Sequence, residues 1–130
     1  MKKLSLLTKT IFHIANILLI VLYLFPGSII GWLFYGNIQK QPQITSDFIL
    51  SSNHIYAFLI LSTLGFLSYY NKNIKILFSY LFFISIFLEF LHFVVPQRSF
   101  EYKDLFGNFC GVLVIFLLFK IYKSFRKKLL

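Results

Sequence analysis

EFLHFVVPQRSFEYKDLFGNFCG, Glu89 to Gly111, is the stretch on which the reading of this chain turns. A carboxylate stands inside an apolar run, and a proline, an arginine, an aspartate and an asparagine follow it. Ionisable groups within a membrane segment are expensive to bury, so a cluster of them marks a functional site by default. On a helix, Glu89 would sit about 9 Å below the outer end of its run at Val95.

Outward from this stretch the chain is apolar with basic flanks. Of its 130 residues 58% are hydrophobic, including 18 Phe and 8 Tyr, against roughly 45–50% apolar usage in soluble domains. One small polytopic membrane unit accounts for this. The net charge of +9 raises nucleic acid as a partner, but the positions of the charges argue against it. Ten of the thirteen cations (Lys2, Lys3, Lys9, Lys72, Lys75, Lys120, Lys123, Arg126, Lys127 and Lys128) flank the ends of apolar runs. That is the pattern of cytoplasmic flanks, and the tail from Lys120 to Lys128 suits anionic headgroups. The basic N-terminal stretch lacks a small-x-small cleavage site and reads as a retained helix. Cys110 is the single cysteine, so no intrachain disulfide forms and no zinc-type spacing exists.

The spacing predicts an all-α fold: one transmembrane domain over residues 1–130, with helices at about 10–25, 54–70, 74–95 and 105–121. An interfacial segment is expected at about 28–35, after Pro26-Gly27, with Trp32 and Tyr35 at the membrane surface. Gly36 to Asn53 reads as a polar external loop, Asn71-Lys72-Asn73 as a short basic turn, and Pro96 to Lys103 as a charged loop. With basic ends and a basic central turn inside, both termini face the cytoplasm. The loops that hold or adjoin Asp47, Glu89, Glu101 and Asp104 then face outward.

On that topology the polar residues converge in depth. His54 opens the second helix, and His92 shares a face with Glu89 at a spacing of three. Arg98 follows Pro96, while Asp104, Asn108 and Gly111 form one stripe down the start of the last helix. Each has a bland alternative. Asp104 suits a helix N-terminus, Asn108 and Gly111 suit close helix packing in lipid, and the whole set can act as a polar latch. Glu89 needs a partner, for which Arg98 and His92 are the candidates. His13 and Asn16 read as packing or capping groups, and Ser62 with Gly65 as a close helix contact.

The ordered pattern Glu89-x-x-His92, Pro96-x-Arg98-x-Phe100, Asp104-x-x-x-Asn108-x-x-Gly111 resembles the VanZ-like family of small bacterial membrane proteins. That family carries an E-x-x-Q segment, a P-x-R-x-F/S loop, a D-x-x-x-N-x-x-G helix start and a histidine where His54 stands. The resemblance covers about His54 to Gly111. His92 replaces the usual glutamine, Leu50 an aspartate and Phe58 a tyrosine. The resemblance implies a multi-pass protein of the bacterial inner (cytoplasmic) membrane, linked to the cell envelope. The family's namesake is associated with low-level teicoplanin resistance.

Three functions compete. The first is a binding module for an anionic lipid or lipid-linked headgroup at the outer leaflet. In it Arg98 clamps phosphate, His54, His92 and Asn108 add hydrogen bonds, and Glu89 and Asp104 orient Arg98. The second is a lipid-phosphate enzyme using histidine and acid, although no serine elbow, metal triad or phosphate-binding glycine loop supports it. The third is an accessory or structural subunit of a larger membrane complex. The expected partners are anionic membrane lipids or such a complex, not nucleic acid, and no cofactor or metal is implied.

Overall fold

A computed structural model describes residues 2–70 and 73–128. They form five helices: α1 (Lys2–Leu24), α2 (Ile29–Tyr35), α3 (Ser52–Tyr69), α4 (Ile74–Leu91) and α5 (Tyr102–Lys128), with no strand among the described residues. Asn71 and Lys72 of the expected basic turn lie outside them.

Local chemistry sets most of the breaks. α1 stops just before Pro26, whose ring cannot continue a helix, and Gly27 turns the chain at φ 85°. The chain then starts again as α2, a separate short helix rather than a continuation of α1. Ser28 caps it by accepting the Gly31 N–H at 2.9 Å, and Gly36 closes it in the left-handed region at φ 61°. Gly31 is required for a different reason: a Cβ there would run into the backbone carbonyl of Lys40. α2 can therefore press directly on the following loop.

α4 ends earlier than its apolar run predicts. From His92 to Val94 the amides bond three residues back, to Glu89, Phe90 and Leu91, at 3.0–3.2 Å. This tightened turn leads into Pro96 and the left-handed Gln97 at φ 61°. At the other ends the helices overrun the expectation. α1 begins at Lys2 and α5 continues to Lys128, because the basic flanks are made of good helix formers.

α3 lies at the centre of the bundle, packed most broadly on α5 and next on α1. Its buried face, His54, Phe58, Leu61, Ser62, Gly65 and Ser68, follows helical spacing. The core adds Phe12 and Leu19 from α1, Leu77, Phe78, Leu81, Ile84 and Leu88 from α4, and Val112 from α5. Tyr23 completes it from the end of α1. Towards the other end, His13 meets the Tyr69 hydroxyl at 2.9 Å and Asn16 donates to the Tyr80 hydroxyl at 2.6 Å. Both contacts tie α1 to its neighbours.

The surface is inverted relative to a soluble bundle. Ile14, Ile17 and Leu18 on α1, Ile76 and Phe83 on α4, and Leu117 and Leu118 on α5 are exposed, while Glu89, Asn108, Ser62 and Ser85 are fully buried. Apolar side chains outside and polar ones inside suit lipid as the solvent. Three helices are long and apolar enough to cross a membrane: Leu6–Leu24, Ile74–Leu91 and Tyr102–Arg126. The expected four crossings include α3, which is 18 residues long but is not among the three. Its polar first turn, Ser52-Asn53-His54, lowers its apolarity.

Candidate functional site

The six residues singled out in the sequence gather at one end of the bundle. His54 comes from the first turn of α3, Glu89 from the last turn of α4, His92 from the tightened turn and Arg98 from the loop. Asp104 and Asn108 come from the start of α5. Tyr23, at the end of α1, stands among them. Its ring packs edge-on against His54 at 5.3 Å and stacks on His92 at 5.8 Å.

Glu89 is fully buried. Its Oε1 accepts the backbone N–H of Glu101 at 3.0 Å, which pins the segment entering α5. His92 Nδ1 lies 3.3 Å from the same oxygen. On its far side His92 Nε2 donates to the Tyr23 carbonyl at 3.0 Å, so the imidazole bridges the carboxylate to α1. Glu89 Oε2 is buried without a hydrogen-bond partner.

Arg98 does something the sequence does not suggest. Its Nη2 donates to the Leu22 carbonyl at 2.9 Å and its Nε to the Phe25 carbonyl at 3.2 Å. Its Nη1 reaches Gln41 Oε1 at 3.3 Å. The guanidinium thus caps the end of α1, where orphan carbonyls collect. Burial lowers its pKa from the usual arginine value, opposed by the charges of Tyr23, Glu89 and Asp104. The expectation that Glu89 and Asp104 hold Arg98 is therefore corrected. The acids pair with histidines, and carbonyls of α1 hold the arginine.

His54 and Asp104 lie 3.5 Å apart, Nδ1 to Oδ1, and Ser51 Oγ shares a 2.7 Å hydrogen bond with the same nitrogen. Asn108 is a strut. It accepts the Tyr23 hydroxyl at 2.6 Å and donates to the Ser85 carbonyl at 3.2 Å, joining α1, α4 and α5. Asp47 caps α3 by accepting the Ser52 N–H at 2.9 Å and pairs with Lys103 at 3.5 Å. The backbone bond from Ser52 is the main reason its pKa falls below 3.8. Asn53 pins the long loop, donating to the Pro42 carbonyl at 2.7 Å and accepting the Ile44 N–H at 3.0 Å.

Beside this network a cavity of about 440 Å³ opens between α2, α3 and the long loop. Ile30, Phe34, Ala57 and Ile60 supply apolar walls, and His54, His92 and Arg98 lie in its lining. Glu89, Asp104 and Asn108 are not part of that lining. They stand behind it as supports.

Sequence reasoning missed Tyr23, Ser51 and Ser85. Tyr23 sits in an apolar run with nothing beside it to separate it from the other tyrosines. Ser51 carried a weak signal as the residue before a helix start. Ser85 takes part only through its carbonyl, which no side-chain pattern reveals.

A small all-helical membrane protein with an inverted, polar-cored bundle and a cavity beside its polar cluster is the class these observations define. The chain belongs to the VanZ/LLP1 family, whose model matches residues 4–123. Comparisons with curated proteins and with solved structures find no match.

Proposed function

We propose that this protein binds an anionic amphiphile, a phospholipid or polyprenyl-phosphate headgroup, from the outer leaflet of the bacterial cytoplasmic membrane. The observation that carries this reading is the cavity of about 440 Å³, where apolar walls meet His54, His92 and Arg98. Its volume falls within the roughly 300–1,000 Å³ typical of ligand pockets. An amphiphile divides in the same way, with the chain against Ile30, Phe34 and Ile60 and the charged head towards Arg98. Arg98 spends three of its five N–H groups on α1 and Gln41, which leaves two for a phosphate.

In this account α3 is a fourth crossing. It is enclosed by three helices that are apolar on their outer faces, so it shares their depth. The basic ends lie in the cytoplasm and the cavity opens outside. α2 rests in the interface, where the exposed Trp32, Leu33 and Phe34 favour the headgroup region. Phe93, exposed and stacked on Phe100 at 4.7 Å, adds apolar surface in the loop that carries Arg98.

Native mass spectrometry of protein extracted gently from its own membrane tests the reading. A co-purifying anionic lipid in wild type supports it. A stoichiometric protein partner without such a lipid supports the alternative, an accessory subunit whose polar cluster is scaffold.

A further inference from the structure

We infer that His54, Glu89 and Asp104 form a binding site for one divalent transition-metal ion, Mn²⁺ or Zn²⁺. Three observations converge. Each residue offers a donor atom, and the three atoms lie within 4.8 Å of one another. Donors around one such ion sit about 3–4 Å apart, so closing the site needs shifts of less than about 1 Å. The residues come from three different helices, α3, α4 and α5, which explains why no ligand spacing is visible along the chain.

The second observation is charge. Two carboxylates share a pocket in which Glu89 is wholly buried. The ammonium nearest in sequence, Lys103, is turned outward to Asp47 at 3.5 Å and Glu101 at 3.3 Å. Arg98 gives its hydrogen bonds to carbonyls and an amide. The histidines against these acids, His92 at 3.3 Å from Glu89 and His54 at 3.5 Å from Asp104, carry charge only when protonated, and one cation among the donors would offset the desolvation of both carboxylates.

The third observation is an atom. Glu89 Oε2 is buried without a hydrogen-bond partner, while Oε1 is held by the Glu101 amide and faces His92. A carboxylate fixed by one oxygen and free at the other is arranged as a ligand. Its neighbours orient Glu89: the Glu101 amide holds Oε1 at 3.0 Å and His92 Nδ1 lies 3.3 Å from it. Metal ligands depend on such outer partners. One imidazole and two carboxylates, with no thiolate, suit Mn²⁺ or Zn²⁺ better than Cu⁺. This site does not depend on the amphiphile reading, and its test uses metal alone.

The test is Mn²⁺ titration of the full chain in detergent, stripped with chelator and followed by electron paramagnetic resonance. Wild type and Lys123→Gln, a change in the last turns of α5, should each bind one ion per chain, and Zn²⁺ should displace it. Glu89→Gln and Asp104→Asn should weaken binding by at least about tenfold. Nitrogen hyperfine coupling to bound Mn²⁺ should appear in wild type and vanish in His54→Gln, a readout that a purely structural role does not produce. Absence of Mn²⁺ binding by folded wild type overturns the proposal. So does binding that shows no nitrogen coupling, or that survives in both carboxamide variants.

Discussion

The Tyr23 hydroxyl donates to Asn108 Oδ1 at 2.6 Å, a buried bond joining residues 85 positions apart. Asn108 passes the connection to α4 through the Ser85 carbonyl. α1, α4 and α5 are thus held in one register at the level of the candidate site. Tyr23→Phe removes the donor and leaves a buried acceptor unpaired. A loss of about 1–3 kcal/mol is expected, read as a lower melting temperature in detergent. An unchanged melt would mean that this bond is not made in the folded protein.

Gly111 sets how closely α3 and α5 approach. A Cβ at this position would lie 2.6 Å from the Ile55 carbonyl oxygen and 2.9 Å from the Leu59 amide nitrogen, both backbone atoms that cannot swing aside. Gly111→Ala should destabilise the bundle by about 1–3 kcal/mol through overpacking. Cysteine cross-linking between α3 and α5 should fall in parallel. Gly36→Ala has open space around it but a left-handed φ of 61°, so its smaller cost should leave the cross-link unaffected.

Arg98 closes α1 onto the loop that follows α4. Removing it frees two carbonyls, so Arg98→Ala should lower the melting temperature even in lipid-free detergent, by about 1.5–3 kcal/mol. Arg98→Lys keeps the charge but not the planar fork and should fall between the two. If the lipid-free melts of all three proteins coincide, the capping role is wrong.

Asp47 gives the fold a pH dependence at its acid end. Its pKa is lowered from 3.8, chiefly by the bond from the Ser52 amide. A depressed folded-state value favours the charged form in the folded state. Its stabilisation is therefore complete above the unfolded value and fades as pH drops through the lower folded value. Melts recorded from pH 6 downward should lose this contribution only below about pH 4. Asp47→Asn should flatten that part of the profile, and an identical acid limb in both proteins would remove Asp47 from the account.

Much of this was legible because it is local. Pro26-Gly27 and Pro96 break helices through their own backbone chemistry, and Asp104 falls in the first turn of α5 as an acid at a helix start should. The six polar residues could be chosen because charge and amide groups stand out against Phe and Leu. Their partners could not be chosen. Arg98 was expected beside the acids, since opposite charges attract, yet carbonyls released by the end of α1 claim it from more than seventy positions away. Tyr23 was invisible because a tyrosine in an apolar run is ordinary until a buried asparagine faces it. Apolarity marks crossings rather than helix ends, and helix propensity carries α1 and α5 on into their basic flanks. α3 shows the reverse: its serines and glycine look unsuited to lipid, and the fold places them at the centre.

The central claim is that the cavity holds the apolar part of an anionic amphiphile. Ala57 lines it and takes part in none of the side-chain hydrogen bonds described above, so Ala57→Trp fills the space without removing any of them. The decisive measurement is a titration of wild type and Ala57→Trp with a short-chain phosphatidylglycerol, read by native mass spectrometry, with melts confirming that both are folded. The account predicts saturable one-to-one binding by wild type and a loss of at least about tenfold in the variant, the effect of removing about 1.4 kcal/mol or more. Equal binding by the two folded proteins would contradict it.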